Sequence, residues 1–417
     1  MILRLSSALL FSCLLAVSNG RVLKDAQVKP VPVSNAFDPE CNMDVPEIIN
    51  RWGYPAEEIY VVTDDNYILT MHRIPYGKDG PSPNRPAIFL QHGLEDSSFS
   101  WVANLPHQSA GFIFADAGFD VYLGNMRGNL YSQDHTRFDP KSHEFWDFSF
   151  DEMVKYDLDA QINEALKRSN QSSLYYVGHS QGTLTMFSKL SRDPAFHKKI
   201  KKFFALAPVG TVKHIKGMLQ VLADFLFDEV KFFYWLFGDS EFIPTNKLFN
   251  LIAEYVCESK QGTAFCDNLL TLIMGTDSNQ INATRNDVYF THIPAGTSTK
   301  NVIHWVQMVR SGILREYDYG WSNEKYYGRN EPPVYDVSKD QCEIYLFWCP
   351  DDWLADEADI EGYLIPALKK QYVVKNTKLE DFNHIDFLWG MRAADEVYKP
   401  ILEAITEDLK KQTKLLN

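Results

Sequence analysis

No stretch of the 417 residues is both long and apolar enough to cross a bilayer, which takes about 20 consecutive apolar positions. Basic runs are absent as well. Asp and Glu number 55 against 41 Lys and Arg, for a formal net charge of −14. That balance argues against nucleic acid as a partner and against electrostatic docking on anionic lipid, so any contact with a membrane or droplet has to be apolar. Internal repeats and low-complexity segments are also missing, which sets aside solenoids and disordered linkers. Cysteine is sparse, at six residues.

The first twenty residues have the form of a secretory signal peptide. Arg4 supplies a positive start, Ser7 to Val17 a short apolar run, and Ser18-Asn19-Gly20 a small-residue cleavage site. Removing it takes Cys13 away and leaves Cys41, Cys257, Cys266, Cys342 and Cys349, an odd number, so at least one thiol has no partner within the chain. Sequons at Asn170 and Asn282 fit passage through the same pathway as glycosylation sites. The expected destination is the lysosomal lumen or the outside of the cell.

A polar lead, residues 21–39, precedes the first element. A β-hairpin is expected over Glu58–Thr63 and Tyr67–Ile74, turning at Asp64-Asp65-Asn66. Short β-rich runs follow at Ala87–Gln91, Phe119–Gly124, Leu174–Gly178 and Phe203–Leu206. Helical patterns lie between them, including Phe150–Ser169 and Gly182–Leu190. Strands that are apolar on both faces and alternate with helices predict a mostly parallel sheet flanked by helices, an α/β fold. The alternation stops between residues 211 and 336, where aromatic-rich helical runs such as Phe225–Phe237 take over. It resumes with strands at Glu343–Trp348 and Tyr372–Lys375 and a closing helix from Ala393. The expected organisation is an α/β core of residues 40–210 and 337–417, interrupted by a helical cap over 211–336.

Within that frame, Gly178-His179-Ser180-Gln181-Gly182 is a G-x-S-x-G between a buried strand and a helix. A turn that sharp strains the serine backbone and raises its Oγ above the sheet, so Ser180 is the candidate nucleophile. A serine needs a base, and in this arrangement acid and histidine follow the nucleophile in that order. Of the histidines beyond Ser180, at 197, 214, 292, 304 and 384, only His384 lies after the last main strand pattern and before the closing helix. The acid should leave the strand Glu343–Trp348. Asp356 suits a helix N-cap better, and spacing alone leaves Asp351 and Asp352 equally placed. One oxyanion donor is the N–H of Gln181, and the other comes from the turn Gln91-His92-Gly93-Leu94. The chemistry calls for no cofactor and no metal.

Six segments together resemble the animal acid lipases, the gastric and lysosomal enzymes, over nearly the whole mature chain. They are Arg51-Trp52-Gly53-Tyr54-Pro55, Leu90-Gln91-His92-Gly93-Leu94, the Gly178–Gly182 motif, Pro294-Ala295-Gly296-Thr297-Ser298, Asp352-Trp353-Leu354-Ala355-Asp356 and Asn383-His384-Ile385-Asp386-Phe387. The resemblance implies an α/β-hydrolase fold with a helical cap and a triad of Ser180, Asp352 and His384. It further implies oxyanion donors at Leu94 and Gln181, a Cys257–Cys266 disulfide, and lipid esters met at a transient lipid interface. The chain departs from the family at Cys349-Pro350-Asp351, where the family is glycine-rich. A lipid carrier that has lost activity on the same fold is the alternative, and it would be expected to lack a triad member.

Overall fold

The computed structural model of the chain describes residues 38–217, 220, 223, 240–242 and 278–416. The proposed signal peptide, most of the lead, Phe225–Phe237 and the Cys257–Cys266 pair lie outside the described residues.

Among the described residues a nine-stranded sheet carries the fold, in the order β1 (Glu57–Val62), β2 (Tyr67–Ile74), β4 (Asp120–Leu123), β3 (Ala87–Gln91), β6 (Leu174–His179), β7 (Ile200–Leu206), β8 (Glu343–Trp348) and β9 (Val373–Lys378), with β5 (Asp134–His135) paired to β2. β1 (Glu57–Val62) and β2 (Tyr67–Ile74) form the expected hairpin, antiparallel in register from Glu57↔Arg73 to Val62↔Ile68. Asn66 in its turn takes φ +78°, a left-handed conformation that asparagine tolerates better than most residues. β3 (Ala87–Gln91), β4 (Asp120–Leu123), β6 (Leu174–His179), β7 (Ile200–Leu206), β8 (Glu343–Trp348) and β9 (Val373–Lys378) then run parallel. Every residue of β3, β4 and β6 is buried, as strands covered on both faces must be.

The two-residue β5, Asp134–His135, was not expected; so short a bridge has no periodicity to detect. The covering helices include α1 (Val45–Arg51), α2 (Ala110–Asp116), α3 (Leu158–Ser169), α4 (Gln181–Arg192), α5 (Asn286–His292), α6 (Thr299–Ser311) and α7 (Lys399–Leu416). Asp44 and Glu47 close a capping box at the start of α1. The expected helix over 150–169 is continuous but contains a π-turn at Met153–Asp157, just ahead of α3.

Within the interrupting segment, the described helices are α5, α6 and a short one at Asn323–Tyr327. α6 is buried along most of its length and is capped by Ser298, whose Oγ accepts from the Asn301 N–H at 3.0 Å. Its residues pack back onto the core loop before the 150–169 helix. Ser298 Oγ donates to the Phe148 carbonyl, and Lys300 pairs with Asp147. Asp38 caps a 3-10 turn at Pro39–Asn42, where buried Glu40 meets Arg285 at 2.6 Å and Arg51 at 3.1 Å. Cys41, Cys342 and Cys349 are buried, unpaired thiols. Among the described residues no helix is long and apolar enough to cross a membrane.

Candidate active site

β6 ends at His179 and α4 begins at Gln181, which leaves Ser180 alone to reverse the chain. It does so with φ +52° and ψ −118°, a conformation a residue with a side chain adopts only under constraint. Gly182 shows where the constraint comes from. A Cβ there would sit 2.4 Å from the Gln91 carbonyl oxygen and 2.8 Å from that of His92. At Gly178 a Cβ would come within 2.7 Å of the Gly182 carbonyl oxygen. Both contacts are with backbone, so neither can relax, and the elbow closes only with glycine at both positions.

Gly93, in the turn after β3, lies directly against the serine: a Cβ there would stand 3.0 Å from Ser180 Cβ and 3.5 Å from Oγ. This turn is fixed from below by His92. The Met126 N–H donates to His92 Nε2 at 3.1 Å, so the proton is on Nδ1, which donates to the Gly93 carbonyl at 2.8 Å. Burial holds that imidazole down to about 4 and therefore neutral. Leu94 follows in the turn, half-buried. The Gln181 N–H is the first of α4 and has no acceptor within the helix.

His384 and Asp352 arrive on two other loops. His384 Nδ1 lies 2.9 Å from Asp352 Oδ1 and 2.8 Å from Oδ2. Asp352 is fully buried, and its Oδ1 also accepts the N–H groups of Leu354 at 2.8 Å and Ala355 at 2.9 Å. Its neighbour Asp351 is exposed. Geometry thus separates two aspartates that sequence spacing left equivalent. Asp356 caps the turn that follows, accepting the Ala358 N–H at 2.8 Å.

His179 joins the elbow to the histidine loop. Its Nε2 donates to the His384 carbonyl at 2.8 Å, and the two rings are 4.7 Å apart. Burial, reinforced by His384, keeps His179 neutral. Asp352 and His384 are thus paired, and the His179 bond ties the His384 loop to the residue before Ser180; all three of Ser180, Asp352 and His384 are buried.

Sequence reasoning passed over several supports. Asn383 and Asp386 form a reciprocal cap around His384. The Asp386 N–H donates to Asn383 Oδ1 at 3.2 Å, while Asp386 Oδ2 accepts the Asn383 N–H at 2.7 Å. The N-x-x-D spacing ahead of an apolar run is a signal that could have found it. Gln181 was expected to act only through its backbone, yet its side-chain oxygen accepts from Asn301 Nδ2 at 3.0 Å and Trp305 Nε1 at 2.7 Å. No local pattern announces that contact, which joins residues 120 and 124 positions apart. Of the other histidines, His304 bonds Ser149 and the Arg315 carbonyl, His292 lies between the Val288 and Met43 carbonyls and, neutral, donates to one of them, and His214 pairs with Asp359.

Residues 86–390 match the α/β-hydrolase fold family, and residues 45–105 match a partial α/β-hydrolase lipase region. The chain is 52% identical to lipase lipl-1 of Caenorhabditis elegans, over 89% of this chain and 93% of that one. To human gastric triacylglycerol lipase it is 44% identical, again over 89% and 93%. Among solved structures, an Acinetobacter baumannii protein designated lip1 superposes with a TM-score of 0.53 at 14% identity, over 90% of this chain and 99% of the other, which speaks to the fold alone. A strained serine elbow, a buried Asp–His pair and identity of this depth along almost the full length have one explanation: the chain belongs to the gastric-type lipases of the α/β-hydrolase fold and is a carboxylic ester hydrolase of lipids.

Proposed function

We propose that Ser180, His384 and Asp352 form an acyl-transfer triad, with the N–H groups of Leu94 and Gln181 as its oxyanion hole. Ser180 Oγ attacks the ester carbonyl carbon while His384 Nε2 takes its proton. The tetrahedral oxyanion is received by the two N–H groups, and collapse expels the alcohol, which leaves with the proton from His384. Water then enters, loses a proton to the same nitrogen and attacks the acyl-enzyme. Release of the fatty acid returns the proton to Ser180. Asp352, held by two backbone N–H groups, fixes the imidazole tautomer and steadies the imidazolium that forms at each transfer. The observation that carries this reading is the two-oxygen grip of Asp352 on His384 Nδ1, which leaves Nε2 as the nitrogen for the serine.

The substrate class follows from the relatives and from the apolar, aromatic composition of residues 211–336: triacylglycerols, cholesteryl esters or related acyl esters met at a lipid interface. The protein is proposed to act in the lysosome or outside the cell, with Asn170 and Asn282 glycosylated. Asn170 is exposed in the left-handed position that ends α3, and Asn282 lies at the surface of a turn. A fluorophosphonate probe tests the mechanism. It should label the wild-type protein at Ser180 and leave Ser180→Ala unlabelled; an unlabelled wild type would point to a lipid carrier.

A further inference from the structure

The two proposed oxyanion donors belong to different loops, Leu94 after β3 and Gln181 at the head of α4, yet both loops are tied to one short stretch. On the first, Glu95 is the residue beside Leu94 and takes φ +56°. Its carbonyl accepts the Ala295 N–H at 2.7 Å, and its carboxyl Oε2 accepts the Gly296 N–H at 3.1 Å. The Ala295 carbonyl in turn accepts the Leu130 N–H at 2.8 Å, which holds the strip from its other side. Gly296 has φ +97°, and a Cβ on it would press on the Gly128 carbonyl at 3.0 Å and on Glu241 Oε1 at 3.1 Å, so the approach depends on glycine.

On the second loop, Gln181 Oε1 receives Asn301 Nδ2 and Trp305 Nε1, one turn apart on α6. All three side chains are buried, and Asn301 is further braced by Thr297 Oγ1 at 3.1 Å. α6 is anchored to the core by Ser298 on Phe148 and by His304 on Ser149. Gln181 is therefore held against a fixed post. An amide N–H aimed at a developing oxyanion loses much of its effect if it is displaced by about 0.5 Å or 10–20°. The peptide that carries the Gln181 N–H is joined to the strained Ser180. Its carbonyl end is held by the Thr183 N–H at 2.8 Å, the Thr183 Oγ1 at 2.7 Å and the Leu184 N–H at 3.2 Å, and the Gln181 side chain on α6 is the further tie on its N–H end.

We propose that residues 295–305 are the brace of the oxyanion hole, with Asn301 and Trp305 positioning the Gln181 N–H and Glu95 positioning the Leu94 N–H. This rests on the triad reading above. None of the three touches the reacting atoms; each is a positioning residue.

The test uses Trp305→Phe, which keeps the ring and removes the donor, alone and combined with Asn301→Ala. On a soluble butyrate ester the double variant should lose about tenfold or more in kcat with KM within about twofold, since the lost contact acts only in the transition state. Affinity for a trifluoromethyl ketone, whose adduct with Ser180 carries an oxyanion, should fall by the same factor. A lesion confined to folding would not link these two readouts. Glu95→Ala should behave alike, and Glu95→Gln, which keeps the acceptor, should recover the loss. Gln181→Met removes the same contacts from the other side, so combining it with Trp305→Phe should add little, and this cycle serves if the Asn301 variant fails to fold. A rise in KM at constant kcat, or a loss of kcat with ketone affinity unchanged, would overturn the brace. Wild-type protein labelled at Ser180 while the variants match it would sink the brace alone; wild-type protein that takes no label would sink the triad reading first.

Discussion

Asp352 is locked before any substrate arrives, since its Oδ1 takes two backbone N–H groups and both oxygens face His384 Nδ1. Asp352→Asn should keep the backbone contacts through the amide oxygen but turn an N–H₂ toward the imidazole, favouring the wrong tautomer. We expect kcat to fall by about 10³-fold or more with the melting temperature little changed. Ser180→Ala and His384→Ala should each fall to about one per cent of activity or less, and combining them should cost little more, because triad members act as a unit. Pre-steady-state acylation of a p-nitrophenyl ester reads all of these. Gly182→Ala tests the elbow itself. Its Cβ would meet backbone oxygens at 2.4 and 2.8 Å, so α4 must shift away from β3. A loss of about 1–3 kcal/mol in urea unfolding is expected, together with loss of fluorophosphonate labelling; a variant as stable and as reactive as wild type would contradict the packing argument.

At the scale of elements, the turn Asn383–Asp386 decides where His384 stands, and Asn383→Ala measures its share. Removing the side-chain acceptor takes the Ile385 N–H's partner and leaves the Asp386 N–H on the Asn383 carbonyl at 3.3 Å, at a cost of about 1 kcal/mol in thermal stability. Activity should fall beyond what that loss explains, because the released turn carries the proposed base. Such reciprocal caps show which features the sequence makes legible. Strands β2, β3 and β8 stand where alternation and apolar runs place them, since both signals are local. The elbow and His384 were legible for the same reason: each is fixed by what adjoins it in the chain. The π-turns at Met153–Asp157, Ile360–Leu364 and Ala394–Tyr398 were not, because one extra residue in a turn scarcely disturbs helical periodicity. Spacing left Asp351 and Asp352 equivalent and only the resemblance favoured Asp352; the fold separates them physically, burying one side chain and exposing the other. Gln181 on Asn301 and Trp305 needed it too, because that contact exists only once α6 returns to the core.

Across the whole molecule, buried ionisable groups set a pH dependence whose sign can be worked out. Burial pushes the Glu95 carboxyl up to about 8, with Glu241 nearby adding to it, while the Gly296 N–H opposes. Asp96 is raised by burial to about 7 and Asp151 to about 6; Glu152, Asp157 and Asp340 move the same way. A carboxyl raised on folding stabilises fully below its unfolded value and loses that contribution as pH climbs through the folded one. Buried histidines act oppositely. Desolvation lowers His72 to about 3, His92 to about 4 and His304 to about 3, and it also lowers His179 and His292. Their contribution is complete above about 6.5 and fades as pH falls. Asp65, lowered because Arg127 outweighs its burial, adds to the loss at the acid end.

Between about pH 4.5 and 6.5 the raised carboxyls and lowered histidines therefore titrate against each other, and stability should be nearly flat. Above about 6.5 the histidines have nothing more to give, while Glu95 and Asp96 still release protons, so stability should decline toward pH 8. Calorimetric melts from pH 4 to 9 at fixed ionic strength should show a higher melting temperature at pH 5 than at pH 8. Glu95→Gln, which cannot ionise, should flatten the alkaline limb and leave the acid limb as it was. A melting temperature that climbs steadily from pH 6 to 9, or an alkaline limb unchanged in Glu95→Gln, would show that the carboxyl beside the proposed oxyanion turn is not the group being titrated.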